Sequence, residues 1–352
     1  MKYRATVALS LAAFVFALGA SALAANVKLL ETGSTLVYPL MNLWVKTYQS
    51  VSPGVQITTQ GTGSGTGISQ AIAGVAQIGA SDAYVSDSQM QKASVLNIPL
   101  AISAQQINYN LPELRSKHLN LSGAVLAGIY DGTIHNWNDP KIVAINRDMA
   151  SKLPNKAIIP IRRSDGSGDT FIFTQYLSDT APSWKSGPGF GTTISWPAVQ
   201  NEVGATGNPG MISACKGAPY SIAYIGISFI AQTNSAGLGY AALQNKSGKF
   251  VLPTAATIKA AAAALVGKTP SDERISLIDA QGADAYPIIN YEYAVVNPKQ
   301  PDADTAAALR KFLTWAISKD GGNKASFLDQ VHFIALPARV AEKSKDQIAK
   351  IQ

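Results

Sequence analysis

The chain has 352 residues, 47% of them hydrophobic and 14% charged, so it holds enough apolar surface to fold and is not disordered. Its net charge of +7 is spread along the chain, which argues against nucleic acid as a partner. The single Cys215 excludes an internal disulfide and a Cys-rich zinc site, and His118, His135 and His332 lack metal-ligand spacing.

In chain order, Lys2 and Arg4 precede the apolar run Val7–Leu18, followed by Ala22-Leu23-Ala24. This pattern is a secretory signal peptide, with cleavage expected after Ala24. No cysteine at that site supports a lipid anchor, and no later segment has the ~18 continuous apolar residues of a spanning helix. An exported, soluble product is expected, in which Cys215 is a buried small hydrophobe.

The remainder alternates strand-like and helix-like stretches, which predicts an α/β fold. Val27–Leu30 reads as a strand running into Thr32-Gly33-Ser34-Thr35, then a helix with Leu36, Leu40, Leu43 and Trp44 on one face. Val55–Thr59 is a second strand. It enters Gly61-Thr62-Gly63-Ser64-Gly65-Thr66-Gly67, after which Ile68, Ala71, Ile72 and Val75 keep helical spacing. Gln77–Ala80 is a third strand, ending at Ser81-Asp82, and Ser86 with Gln89 predicts a capping box. Ile158–Ile161 leads into Arg163-Ser164-Asp165-Gly166-Ser167-Gly168-Asp169, and Phe173, Tyr176 and Leu177 mark the next helix. The Gly/Pro-rich span 183–210 reads as long loops. Ala255–Val266 and Asp302–Ile317 read as helices, the second with Leu309, Phe312, Leu313, Ala316 and Ile317 on its apolar face.

Several strand-to-helix junctions therefore carry Gly with Ser or Thr. Such junctions aim backbone N–H groups at the carboxyl ends of strands, where open α/β sheets bind ligands. The stretch 61–67 departs from G-x-G-x-x-G at Thr66, has no P-loop lysine and is not G-x-S-x-G. It reads as an anion cradle, with a flexible surface turn as the alternative. Arg163 offers a planar fork suited to a tetrahedral oxyanion, the alternative being a surface salt bridge of the kind expected for Arg162. Asp165 either holds that guanidinium or is a turn residue. Asp82 is either a turn or cap aspartate or, in an anion site, an acceptor for a protonated ligand. A carboxylate there accepts from P–OH and repels fully ionised sulfate. Ser64 and Ser167 have no histidine near them in sequence to act as a base, so catalysis has little support.

Together these segments resemble the periplasmic phosphate-binding protein of Pst-type ABC transporters. The resemblance rests on Gly33-Ser34-Thr35-Leu36, Gly61-Thr62-Gly63-Ser64-Gly65, Gly79-Ala80-Ser81-Asp82 and Arg163-Ser164-Asp165-Gly166-Ser167-Gly168, in that order. Weaker support comes from Ile129 to Trp137, Ala223-Tyr224-Ile225-Gly226 and Tyr286-Pro287-Ile288. It implies a two-lobed periplasmic-binding-protein clamp of type II, joined by two hinge crossovers near Asn108–Asn110 and Ile288–Glu292. The first lobe is then 25–109 with 291–352, and the second is 110–290. It also implies that Thr35, Leu36, Ser64, Ser167 and Gly168 donate to phosphate, that Arg163 supplies the cation and that Asp82 accepts the phosphate proton. Asp165 would orient Arg163 from behind.

Two positions depart from the family pattern. Leu36 stands where a Phe is common, and Asp169 where a Thr is common. Asp169 is either a second acceptor for the ligand or a helix-capping carboxylate; the ligand role is preferred because Ser167-Gly168 already brings this backbone to the anion. The implied partners are inorganic phosphate and the membrane permease of an ABC transporter. The protein is expected to be monomeric, with no cofactor and no metal. An exported phosphatase-like enzyme of related fold is the alternative.

Overall fold

The computed structural model describes residues 27–114 and 118–352. The predicted signal peptide and its cleavage site lie outside the described residues. Strands β1 (Val27–Gly33), β2 (Val55–Gly61), β3 (Ile78–Ser81), β4 (Leu96–Tyr109), β5 (Ile159–Arg163), β6 (Val203–Ala205), β7 (Ser221–Gly226) and β8 (Ile289–Val296) lie in the order β2-β1-β3-β8-β4-β7-β5-β6. A short strand, Gly239–Tyr240, also pairs with β4. Strands β1, β2 and β3 are parallel, and so are β5, β6 and β7, while β8 and β4 run antiparallel to their neighbours.

The long β4 joins the two halves of this sheet. Leu96–Ala104 pairs with β8, and Gln105–Tyr109 pairs with β7. The change of partner falls between Ala104, opposite Ile289, and Gln105, opposite Gly226. β4 is buried along nearly its whole length although its sequence carries Asn97, Ser103, Gln105, Gln106 and Asn108. Most buried polar groups need partners, and several of these find theirs on other elements. Asn97 accepts from the Val85 N–H at 2.8 Å, and Gln105 reaches Asp169.

Helices cover both halves. α1 (Tyr38–Val51) buries Leu40 and Trp44, as its apolar spacing predicts, together with Met41 and Tyr48; Leu36 packs just before it and Leu43 is half-buried. α2 (Ser64–Ile72) buries Ile68 and Ala71 but ends before Val75, which is 59% exposed and does not continue the predicted face. α3 (Gly168–Thr180) is buried nearly all round, including Phe173, Tyr176 and Leu177. α4 (Gly207–Gly217) and α5 (Ala255–Leu265) follow, and α6 (Ala303–Ile317) is capped by Asp302. The chain thus returns to the first half of the sheet, where Tyr48 meets Phe312 and Trp315 with ring centroids about 5 Å apart. The second half has its own aromatic core, in which Phe173 stacks on Tyr224 at 4.5 Å and Tyr130 meets Phe173 at 4.9 Å. Each such side chain stabilises its layer by about 2–3 kcal/mol on burial.

The span read as long loops carries more structure than its composition suggests. It contains the helix Pro182–Ser186 and strand β6, and Gly207 opens α4. Gly207, Pro209 and Gly210 are poor helix formers, but Met211 and Cys215 are fully buried, and packing overrides propensity. Cys215 is buried as expected, and burial pushes its thiol up to about 11. The Ser86–Gln89 capping box forms as predicted.

Candidate anion-binding site

The carboxyl ends of β1, β3 and β5 and the starts of α2, α3 and α4 converge where the two halves of the sheet face each other. Gly33 and Gly63 have φ of +140° and +93°, which side chains other than glycine rarely adopt. Their turns bring residues 34–36 and 64 beside Asp82. Ser64 and Gly168 are the first residues of their helices, so their N–H groups have no intrahelical acceptor and stand at positive helix ends. The halves touch directly at backbone level, where the Gly65 N–H donates to the Gly166 carbonyl at 2.9 Å.

Asp82 is 2% exposed. Its Oδ1 accepts from the Ser34 hydroxyl and its Oδ2 from the Ser64 hydroxyl at 3.3 Å, while the Asp82 N–H donates back to Ser64 Oγ at 3.2 Å. Burial raises its carboxyl, and hydrogen bonds from Glu292, Ser34 and Ser64 and the charge of Arg163 oppose the rise.

Arg163 is held by two carboxylates. Its Nε donates to Asp165 Oδ1 at 2.7 Å and its Nη2 to Asp165 Oδ2, while Nη1 donates to Asp169 Oδ2 at 2.8 Å. The Tyr224 hydroxyl accepts from the Arg163 backbone N–H at 2.9 Å. This bidentate clasp fixes the guanidinium plane and leaves Nη1 directed across the cleft, where Thr35 Oγ1 lies 3.4 Å away. Burial raises the Asp165 carboxyl, but the Arg163 hydrogen bond and charge outweigh it and leave the group below its ordinary value. Arg162, by contrast, pairs with Glu202 at 2.7 Å with both side chains partly exposed.

Asp169 is 1% exposed, and burial, then the charge of Asp82, pushes its carboxyl up to about 7 against the opposing pull of Arg163. Its Oδ1 accepts from Gln105 Nε2 at 3.1 Å, and its Oδ2 accepts from Asn208 Nδ2 at 2.8 Å as well as from Arg163. Asn208 reaches across to Thr35, whose Oγ1 accepts from the Asn208 side chain at 2.9 Å and from its N–H at 3.2 Å.

All eight residues read as ligand contacts (Thr35, Leu36, Ser64, Asp82, Arg163, Ser167, Gly168 and Asp169) are buried at this junction. Besides the N–H groups of Asp82 and Arg163, two of their backbone donors are engaged within the protein. The Leu36 N–H donates to Ser34 Oγ at 3.0 Å, and the Ser167 N–H to the Thr192 carbonyl at 2.8 Å. Ser167 Oγ caps α3 by accepting from the Thr170 N–H. Ser34, Gln105, Asn208 and Glu292 also belong to the cluster and were not singled out by the sequence. Each is a single polar residue without local pattern, and only Ser34 sits inside a recognised motif. Among the described residues no group of three or more His, Cys, Asp or Glu is arranged to hold a metal.

A family model for the PBP superfamily domain matches residues 19–320. The chain is 37% identical to the phosphate-binding protein PstS of Methanocaldococcus jannaschii over 328 residues, covering 88% of this chain and 83% of that protein. It is 33% identical to PstS of Haemophilus influenzae, covering 95% and 96%. The chain belongs to the PstS family within the PBP superfamily. Its fold is that of a high-affinity periplasmic phosphate-binding protein, PfluDING, solved with phosphate bound: the TM-score is 0.70 at 20% identity, over 91% of this chain and 93% of that one. The family membership agrees with the two-lobed α/β clamp expected from the sequence. Among the described residues no helix is long and apolar enough to cross a membrane.

Proposed function

We propose that this PstS-family chain is an exported, non-catalytic receptor that closes around inorganic phosphate and delivers it to an ABC-type permease. In this reading the signal peptide is removed after Ala24 and the mature protein works in the periplasm as a monomer. The lobes are 25–109 with 291–352, and 110–290. The two crossovers are taken near Asn108–Asn110 and Ile288–Glu292, a reading supported by β4 being the strand that exchanges β8 for β7.

The observation that carries the reading is Asp82, a buried carboxylate in a cleft that also holds hydroxyl and N–H donors, one arginine and the carboxylate of Asp169. A carboxylate has roughly four acceptor sites. Ser34, Ser64 and Glu292 occupy three at Asp82, which leaves one for a P–OH. Thr35, Ser64, the Ser167 hydroxyl and Gly168 supply neutral donors from both lobes, Arg163 supplies the charge, and Asp165 orients it; the Leu36 N–H, expected as a further donor, is instead taken up by Ser34 Oγ in this structure. Asp169 has three donors of its own and one site left, so it offers a second acceptor to a protonated oxyanion. Donors from both lobes make the closed form depend on the ligand. The phosphatase alternative is not favoured, because the relatives are named as binding proteins and no histidine among the described residues hydrogen-bonds to Ser64 or Ser167.

Calorimetric titration of the purified protein with phosphate and with sulfate tests this. Tight binding of phosphate with sulfate excluded is expected; equal affinity for the two would overturn the reading.

A further inference from the structure

Glu292, on β8, is a buried carboxyl whose place in the anion site goes beyond a filled acceptor position. It is fully buried. Its Oε1 lies 2.5 Å from Ser103 Oγ on β4 and 3.1 Å from Asn290 Nδ2, two residues back on β8. The same Asn290 amide donates to the Asp82 carbonyl at 3.3 Å, so it ties the two acids together. Its Oε2 meets no N–H or O–H donor among the described residues, and the Glu292 and Asp82 side chains are hydrogen-bonding neighbours.

Two carboxylates cannot hydrogen-bond to each other, because both are acceptors only. The contact requires one proton, and the surroundings decide which acid carries it. Asp82 receives two serine hydroxyls and lies in the field of Arg163. Glu292 has Ser103 and Asn290 on one oxygen only, and the charged group that bears most on it is Asp82 itself. Burial and that negative neighbour both hold Glu292 well above the usual carboxylate range. Beyond Asp82, the other charged groups facing the pair are Arg163 and Asp169.

We propose that Glu292 is a positioning residue for anion specificity: its carboxylic acid donates a proton to Asp82 and so keeps Asp82 a carboxylate, able to accept the ligand's P–OH. Should Glu292 lose its proton to solvent, two adjacent buried negative charges would face the ligand and weaken the binding of any anion. Were Asp82 instead to carry the pair's proton, the acceptor would become a donor and admit fully ionised anions such as sulfate.

This inference rests on the phosphate reading, and the experiment separates the two. Phosphate and sulfate affinities are measured by calorimetry from pH 6 to pH 9 for wild type, Glu292→Gln and Glu292→Leu. The Gln amide N–H replaces the acid O–H toward Asp82, while its carbonyl still accepts from Ser103. Glu292→Gln is therefore expected to stay within about threefold of the wild-type phosphate-to-sulfate ratio at pH 7. It should also lose affinity less steeply than wild type as pH rises; the extra wild-type loss is at most roughly tenfold per pH unit, one proton's worth. Glu292→Leu, with no donor, is expected to lower the ratio at least tenfold. Ionisation of phosphate itself is common to all three proteins and cancels in the comparison. The inference is overturned if wild type prefers phosphate and Glu292→Leu keeps that preference. It is equally overturned if the Gln and wild-type pH profiles superimpose, a readout that stands even if the Leu variant does not fold. A wild type that fails to prefer phosphate sinks the phosphate reading instead.

Discussion

Gly168→Ala probes the closed clamp with a single methyl group. The added Cβ would lie 2.5 Å from Ser64 Oγ and 2.7 Å from Asp82 Cβ, with Asp82 Oδ2 closer still. All these atoms are on the opposite lobe, so the methyl acts only when the lobes are together. Ordinary contact needs about 3.5 Å, so the facing groups must retreat by about 1 Å. Overpacking of this size costs about 1–3 kcal/mol, which is about 5- to 150-fold in phosphate affinity. The open form is unharmed, since alanine favours helices over glycine by about 0.5–1 kcal/mol and the backbone N–H at 168 is kept. The assay is thermal unfolding with and without phosphate, alongside calorimetry. Phosphate at 100 times the wild-type Kd stabilises by about 2.7 kcal/mol. With affinity weakened about 30-fold, the same phosphate should stabilise the variant by only about 0.9 kcal/mol. A variant with wild-type affinity and a wild-type shift in Tm would refute the claim that this closed geometry is the ligand-holding state.

Two further substitutions test residues that the sequence did not mark. Glu31 on β1 is fully buried, and burial pushes its carboxyl up to about 8, the Gln60 backbone offsetting only part of this. Its folded pKa lies above the unfolded value of 4.5, so the folded state holds the extra proton and stability falls as pH rises from about 4.5 to about 8. At pH 7 the cost is about 3 kcal/mol at 1.36 kcal/mol per unit. Glu31→Gln should recover up to that amount in urea unfolding at pH 7 and little at pH 4.5; parallel pH profiles for variant and wild type would contradict it. Asn208→Ala removes the side-chain donor to Thr35 and Asp169, leaving only the backbone N–H on Thr35, and orphans the Gly226 N–H, which donates to Asn208 Oδ1 at 2.8 Å. Each lost buried partner costs about 1–3 kcal/mol, so phosphate affinity measured by titration should fall tenfold or more. Unchanged affinity would remove Asn208 from the clamp.

What the sequence reveals depends on whether a residue's chemistry is advertised locally. The cradles at 61–67 and 163–169 are legible because glycine spacing, hydroxyls and a strand-to-helix change fall together in a few residues. Asp82 is legible only as an electrostatic oddity beside them. Asn208 is hidden because its helix begins in a Gly/Pro-rich segment and forms through the burial of Met211 and Cys215 rather than through propensity. Gln105 and Glu292 are hidden for another reason. They sit on β4 and β8, strands that pair across some 190 residues of chain, so no local pattern announces what they face. Val75 shows the converse, since helical spacing continues one step beyond the turn that ends α2 at Ile72.

The central claim is that Asp82 reads the proton on the ligand, and the phosphate-to-sulfate affinity ratio of Asp82→Asn against wild type tests it most directly. The amide replaces one acceptor oxygen with a donor in a site that is 2% exposed. A mismatched buried group costs about 1–3 kcal/mol, so the ratio should fall by about 5- to 150-fold, with sulfate binding becoming measurable. A variant that still excludes sulfate as wild type does would contradict the account.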